Sequence, residues 1–260
     1  MADSKPNSSS KPGPSQVIYP NSSAEAANAA ERKLRRVAIL QSNYIPWKGY
    51  FDLIHMVDEF VLFDTAQYTR NDWRNRNRIK TRTGLAWLSI PVKNRFKQTI
   101  QEAEVNDPLW NERHWKTLIQ HYSRARYFQM YRSRFEELYR GCDEKLLSRL
   151  NHRFLTAICE ILGIKTRISW SSQYPEIENR TERLVQWCKL LNANEYLTGP
   201  AAKEYIDENR FARAGIKLRY MDYSGYPEYG QLYPPFDHAV SIVDLIFNEG
   251  PNTARYMKSF

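Results

Sequence analysis

From Arg35 onward, short apolar runs alternate with longer stretches in which apolar residues return every third or fourth position. RRVAIL (35–40) is apolar and β-branched and breaks off into the polar QSNY, which predicts a buried strand. In IPWKGYFDLIHMVD (45–58), Pro46 can open a helix, and Tyr50, Leu53, Ile54 and Val57 share one helical face. EFVLFD (59–64) repeats the buried-strand pattern. Strand, helix and strand in so short a span predict a βαβ unit with parallel strands and a right-handed crossover. The carboxyl ends of such strands open into a ligand-binding crevice, where Gln41, Asn43 and Tyr44 would sit at one end and Asp64 and Gln67 at the other.

WRNRNRIKTRTG (73–84) changes the picture, because cations alternate with Asn75, Asn77 and Ile79. In a strand, Arg74, Arg76, Arg78 and Lys80 would form one charged stripe, and with AWLSIPV (86–92) a hairpin turning at TRTG. A solvated, charge-guarded edge strand is the plain reading. Asn75, Asn77 and Trp73 are poor choices for mere solubility, so an anionic ligand gripped by arginine forks is the better one. Residues 108–163 turn helical in three blocks and end at Gly163, a good helix cap. Then TRISW, EYLTG and GIKLRYMDY predict strands, while NRTERLVQWCKLLNA and SIVDLIFNEG predict helices. The expected architecture is α/β: a parallel-containing, Rossmann-like sheet with a helical insertion at about 108–163. Residues 1–31, rich in Ser, Pro, Asn and Ala, are expected to be a disordered tail before a domain spanning 32–260.

Composition narrows the chemistry. The net charge is +9 and 13% of residues are aromatic, with 17 Tyr and 7 Trp, which favours anionic partners. No module for sequence-specific DNA reading is visible, although a charged tRNA remains open as a partner. Three scattered cysteines, Cys142, Cys159 and Cys188, suggest neither a disulfide framework nor a metal site, so a reducing cytoplasm is the expectation. No apolar run is long enough for a membrane span. Gly-rich phosphate loops are absent, leaving phosphates to side chains and helix starts such as LTGPAAKEY, with Lys203. Among the five histidines, His238 beside Asp237 is the best proton-transfer candidate. Asp64 is either a turn residue or a site carboxylate.

The stretch from Leu40 to Val92, opening QSNYIPWKGYF, resembles the start of WbqC-like proteins, and YLTGPAAKEYI and FDHAVSIVDLIFNEG are similar to that family's later segments. Ser42 stands where the resemblance leads one to expect proline. Carried onto this sequence, the motif positions are Gln41, Tyr44, Pro46, Trp47, Gly49, Tyr50, Asp64, Gln67, Asn75, Arg76, Asn77, Lys80, Gly199, Lys203, Ser241 and Asp244. The resemblance implies a role in surface-polysaccharide or natural-product assembly, with transfer of glycine or another small acyl group onto an amino sugar. The expectation is therefore an acyl or aminoacyl transferase without cofactor or metal. Its acceptor would be a nucleotide-linked sugar or other amine, and its donor an acyl carrier protein or charged tRNA. Asp64 or His238 would serve as base. Gln41, Asn43, Tyr44, Trp47, Gln67, Asn75, Arg76, Asn77, Arg78, Lys80 and Lys203 would bind substrate. The alternatives are a non-catalytic module docking an anionic carrier or nucleic acid, and a nucleotide-dependent ligase of HIGH-like fold.

Overall fold

Four of the five strands in the main sheet are only four residues long, and in the three central ones the side chains alternate between two apolar layers. In the computed structural model, which describes residues 33–260, they pair wholly in parallel. The strands are β1 (Arg36–Leu40), β2 (Glu59–Leu62), β5 (Arg167–Trp170), β6 (Glu195–Thr198) and β7 (Lys217–Tyr220), in the order β5-β2-β1-β6-β7. The tail expected at 1–31 lies outside the described residues; Leu34–Phe260 form one compact unit.

Alternation along the strands divides the core. Ala38, Phe60, Leu62 and Leu197 face one cluster, while Val37, Ile39, Val61 and Tyr196 face another. The larger layer holds α1 (Lys48–His55), the insertion helices α2 (Trp110–Tyr122), α3 (Phe128–Arg140) and α4 (Leu147–Leu162), and the carboxyl-terminal α7 (Ile242–Glu249). The smaller layer holds α5 (Arg180–Leu190) and α6 (Glu208–Arg213). Burial on both faces explains why β2 and β6 read as unbroken inward runs. The insertion is part of the main core: Trp115, Phe128 and Phe135 pack in the same cluster as Phe51 and Phe247. Gly163 takes the left-handed conformation that ends α4, and Ser241 accepts a hydrogen bond from the Val243 N–H at the start of α7.

The basic run forms a separate antiparallel hairpin, β3 (Arg76–Thr81) with β4 (Gly84–Ser89). Asn77 and Ile79 turn inward, fixing Arg76 and Arg78 on the outer face. The expected four-cation stripe is split, because the strand begins only at Arg76. Arg74 precedes it and reaches Asn43 Oδ1 at 3.2 Å, while Lys80 is buried with its ammonium donating to the Pro235 carbonyl.

Candidate functional site at the carboxyl edge of the sheet

The chain lays β2 and β5 to one side of β1, then returns to place β6 and β7 on the other. Between β1 and β6 the order reverses, and in such sheets the crevice above this point takes ligands. A cavity of about 650 Å³ opens there. Gln41 and Asn43 line it from the end of β1, Gln67 from beyond β2, and Thr198 and Gly199 from the end of β6. Its charged walls are Arg74, Arg180, Arg183 and Glu178. Arg180 and Arg183 lie in the first turn and a half of α5, at the helix's positive end. Among the described residues neither has a carboxylate within ion-pair distance; Arg183 donates to the Ile177 carbonyl at 2.6 Å. Arg74 has Asp72 at 3.6 Å.

The opposite edge of the sheet contrasts with this. Buried Glu59 is met by Arg35 at 3.0 Å and Arg167 at 3.7 Å, and buried Glu195 by Arg36, Arg219 and Lys217 at 3.4–3.6 Å. Where strands begin, buried carboxylates each gather two or three cations; where they end, Arg180 and Arg183 face a cavity with no ion-pair carboxylate among the described residues.

Asn43 also lines a second cavity of about 370 Å³, walled by Trp47, Trp73, Tyr223, Asn77, Arg78 and His238. Trp47 stands edge-on to Tyr223 and Tyr226 with centroids 5.0 and 5.4 Å apart. Asn77 is locked in place, its amide donating to the Tyr44 and Ile45 carbonyls at 3.1 and 3.0 Å. His238 keeps Nδ1 without a partner among the described residues. Burial lowers its basicity, the Lys48 charge adds to that, and Glu228 and Asp237 oppose it. A neutral imidazole near pH 7 follows, the form able to accept a proton.

Lys48 escaped the sequence reading. Its ammonium donates to the Pro227 carbonyl at 2.9 Å and lies 4.9 Å from the Tyr226 ring. Burial draws its pKa down to about 8, against the pull of Asp52. Arg180, Arg183 and Tyr223 were missed too. The available signal was positional: Lys48, Arg180 and Arg183 put positive charge near helix starts, where acidic residues are the favoured choice.

The remaining candidates fall elsewhere. Asp64 is fully buried below the mouth, its carboxylate accepting from the Ser42 N–H at 2.9 Å and from the Ser148 hydroxyl. Burial raises its pKa, and the two serines oppose that. The Tyr44 phenol is buried between His114 Nδ1 at 2.9 Å and Tyr139 at 2.8 Å. Asn75 donates to the Ile90 carbonyl at 2.8 Å, at the base of the hairpin. Lys203 is exposed, 5.1 Å from the Tyr220 ring. Arg76 joins Arg78 in a third, outer cavity of about 280 Å³ with Trp73 and Trp87. No group of three or more potential metal ligands is found among the described residues, and no helix among them is long and apolar enough to cross a membrane.

Fold and mouth together define an α/β protein with a doubly covered parallel sheet and a polar crevice at its switch point. The chain belongs to the WbqC-like protein family, which it matches over residues 41–256. It is also 46% identical over 227 residues to the uncharacterized protein Rv1507c of Mycobacterium tuberculosis (strain ATCC 25618 / H37Rv), an alignment covering 86% of this chain and 98% of that protein. No solved structure gives a significant match.

Proposed function

We propose that this protein is a transferase that moves an activated acyl or aminoacyl group onto an amine in surface-polysaccharide or natural-product assembly. The observation carrying the reading is Asn43, which lines both the guanidinium-walled cavity and the aromatic one. A phosphorylated substrate, such as a nucleotide-linked amino sugar, fits the first through Arg74, Arg180 and Arg183. Its amine then lies near Asn43, with the partner substrate's carbonyl in the second cavity. Neutral His238 takes the amine's proton, and the Asn43 amide is placed to donate to the developing oxyanion. Three buried free cysteines among the described residues agree with work in a reducing compartment, which we take to be the cytoplasm.

One further reading has support. A 650 Å³ cavity at the switch point of a parallel sheet also suits ATP, as in a nucleotide-dependent ligase. Thermal-shift titration of the full chain with nucleotide-linked amino sugars and ATP tests both, followed by mass detection of the amide. The expected result is stabilisation by the sugar nucleotide, with affinity about tenfold weaker in Arg183→Ala, the equivalent of about 1.4 kcal/mol. Stabilisation by ATP alone, with nucleotide cleavage, favours the ligase. Wild-type affinity in Arg183→Ala refutes the phosphate role.

A further inference from the structure

The outer face of the hairpin carries a feature that neither cavity of the proposed reaction uses fully. Trp73 and Trp87 are 39% and 45% exposed, large fractions for indoles, and their ring centroids lie 5.5 Å apart at a tilt of 43°. Arg78 pairs across the hairpin with Trp87. Its guanidinium carbon is 5.7 and 5.5 Å from the Trp73 and Trp87 centroids, and that of Arg76 is 4.1 Å from Trp87. Neither guanidinium has a hydrogen bond or ion pair among the described residues, and the Nε atoms of both are buried without a partner. Two part-exposed indoles, one with the Arg76 guanidinium over a face and the other face left for a ligand, thus line one small cavity. With them are these two arginines, which lack hydrogen-bond and ion-pair partners among the described residues, and Asn71 and Asp72.

We infer that this platform binds the single-stranded end of an RNA, with bases stacking on Trp73 and Trp87 and phosphates meeting Arg76 and Arg78. The inference deepens the transferase reading and rests on it for one point, that the strand's terminal ester is the activated acyl group. Bases present flat π faces that stack on indoles whatever their sequence, and arginine adds cation–π contact and phosphate pairing. The pantetheine arm of a carrier protein is aliphatic and offers nothing to stack, so it leaves both tryptophans unexplained. Continuity supports the assignment. Trp73 and Arg78 line the outer cavity and the aromatic cavity alike, so a strand lying on the hairpin ends beside Asn77 and His238. Transfer then breaks the ester C–O bond and forms the amide C–N bond. The amine's proton passes to His238, which returns it to the departing ribose oxygen, so the hydroxyl leaves neutral and the imidazole is regenerated.

The test is intrinsic-fluorescence titration of the full chain with a short single-stranded oligoribonucleotide, alongside inorganic tripolyphosphate and an acidic carrier protein. The oligoribonucleotide should quench indole emission and bind with a steep loss at higher salt. Trp87→Ala should weaken binding about 5- to 150-fold, and Trp87→Phe, which keeps a ring, should restore most of it. Arg183→Ala should leave this binding unchanged. Equal affinity in wild type and Trp87→Ala, tripolyphosphate binding as tightly as the oligoribonucleotide, or binding of the carrier protein alone each overturns the inference. Oligoribonucleotide binding that depends on Trp87 in a protein that forms no amide upholds the platform and sinks the transferase reading instead.

Discussion

Replacing Lys48 by Met tests the electrostatics of the aromatic cavity with one substitution. The lysine is buried in the first turn of α1, with one carbonyl acceptor, two aromatic rings and Asp52 one turn along. Removal of its ammonium from water draws the pKa from 10.5 to about 8. The folded-state value is the lower one, so between these limits the unfolded chain holds the extra proton and stability rises with pH. Below pH 8 both states are charged, and the cost of burying the cation is present in full. At about 1.4 kcal/mol per tenfold change in proton affinity, that cost is about 3 kcal/mol. About 2 kcal/mol of it is relieved between pH 7 and pH 9.5.

Urea unfolding at those two pH values should therefore show wild type gaining about 2 kcal/mol relative to Lys48→Met. The variant itself loses the bond to Pro227, about 1 kcal/mol, and sheds the charge cost, so at pH 7 it should be no less stable than wild type. The second readout is His238. The Lys48 charge lowers its basicity, so the imidazole titration followed by NMR should move to higher pH in Lys48→Met. A variant with the wild-type pH dependence of stability and an unmoved His238 titration would refute the account of both groups.

Two other substitutions follow from the geometry. Asp64→Ala strands the Ser42 N–H and the Ser148 hydroxyl, costing about 1–3 kcal/mol for each in urea unfolding, whereas Asp64→Asn should be near neutral. Because burial raises the Asp64 pKa, wild type should gain stability as pH falls through the folded value, and Asp64→Asn should lack that gain. Loss of turnover in Asp64→Asn at full stability would instead assign the carboxylate a chemical role. In Gly49→Ala the new methyl collides with the Trp47 indole, so a cost of about 1–3 kcal/mol and a changed indole emission are expected. Unaltered emission and stability would show that Trp47 is loosely held.

The sheet was legible because β1, β2 and β6 combine β-branched or aromatic runs with helical patterns between them. The mouth residues Gln41 and Asn43 were legible as amides where a buried strand ends. Helix α6 was not, being six residues long with Phe211 its buried residue, too short for periodicity to register. The basic stripe misled at its ends. Alternation held for Arg76, Asn77, Arg78 and Ile79, but spacing alone does not mark where a strand begins or which lysine finds a buried carbonyl. Tyr44, a motif position, was readable as a residue that matters but not as a core phenol. The tie to His114 and Tyr139 spans 70 and 95 positions, which no local pattern encodes.

The two edges of the sheet bear on what the mouth is for. Glu59 and Glu195 show that this fold can neutralise its cations where only stability is at stake. At the start of α5, Arg180 and Arg183 add positive charge to the positive end of a helix dipole, unfavourable by about 0.3–1 kcal/mol for each near the first turn. Asn179 caps the same helix properly, its side chain accepting from the Glu182 N–H at 2.9 Å, so the local sequence is otherwise suited to a stable start. An anion in the cavity removes both terms at once, since it accepts from the guanidiniums and faces the dipole with the opposite sign. A binding site differs from a charged surface in this respect: its repulsion is relieved by one ligand, and that relief is part of the ligand's affinity.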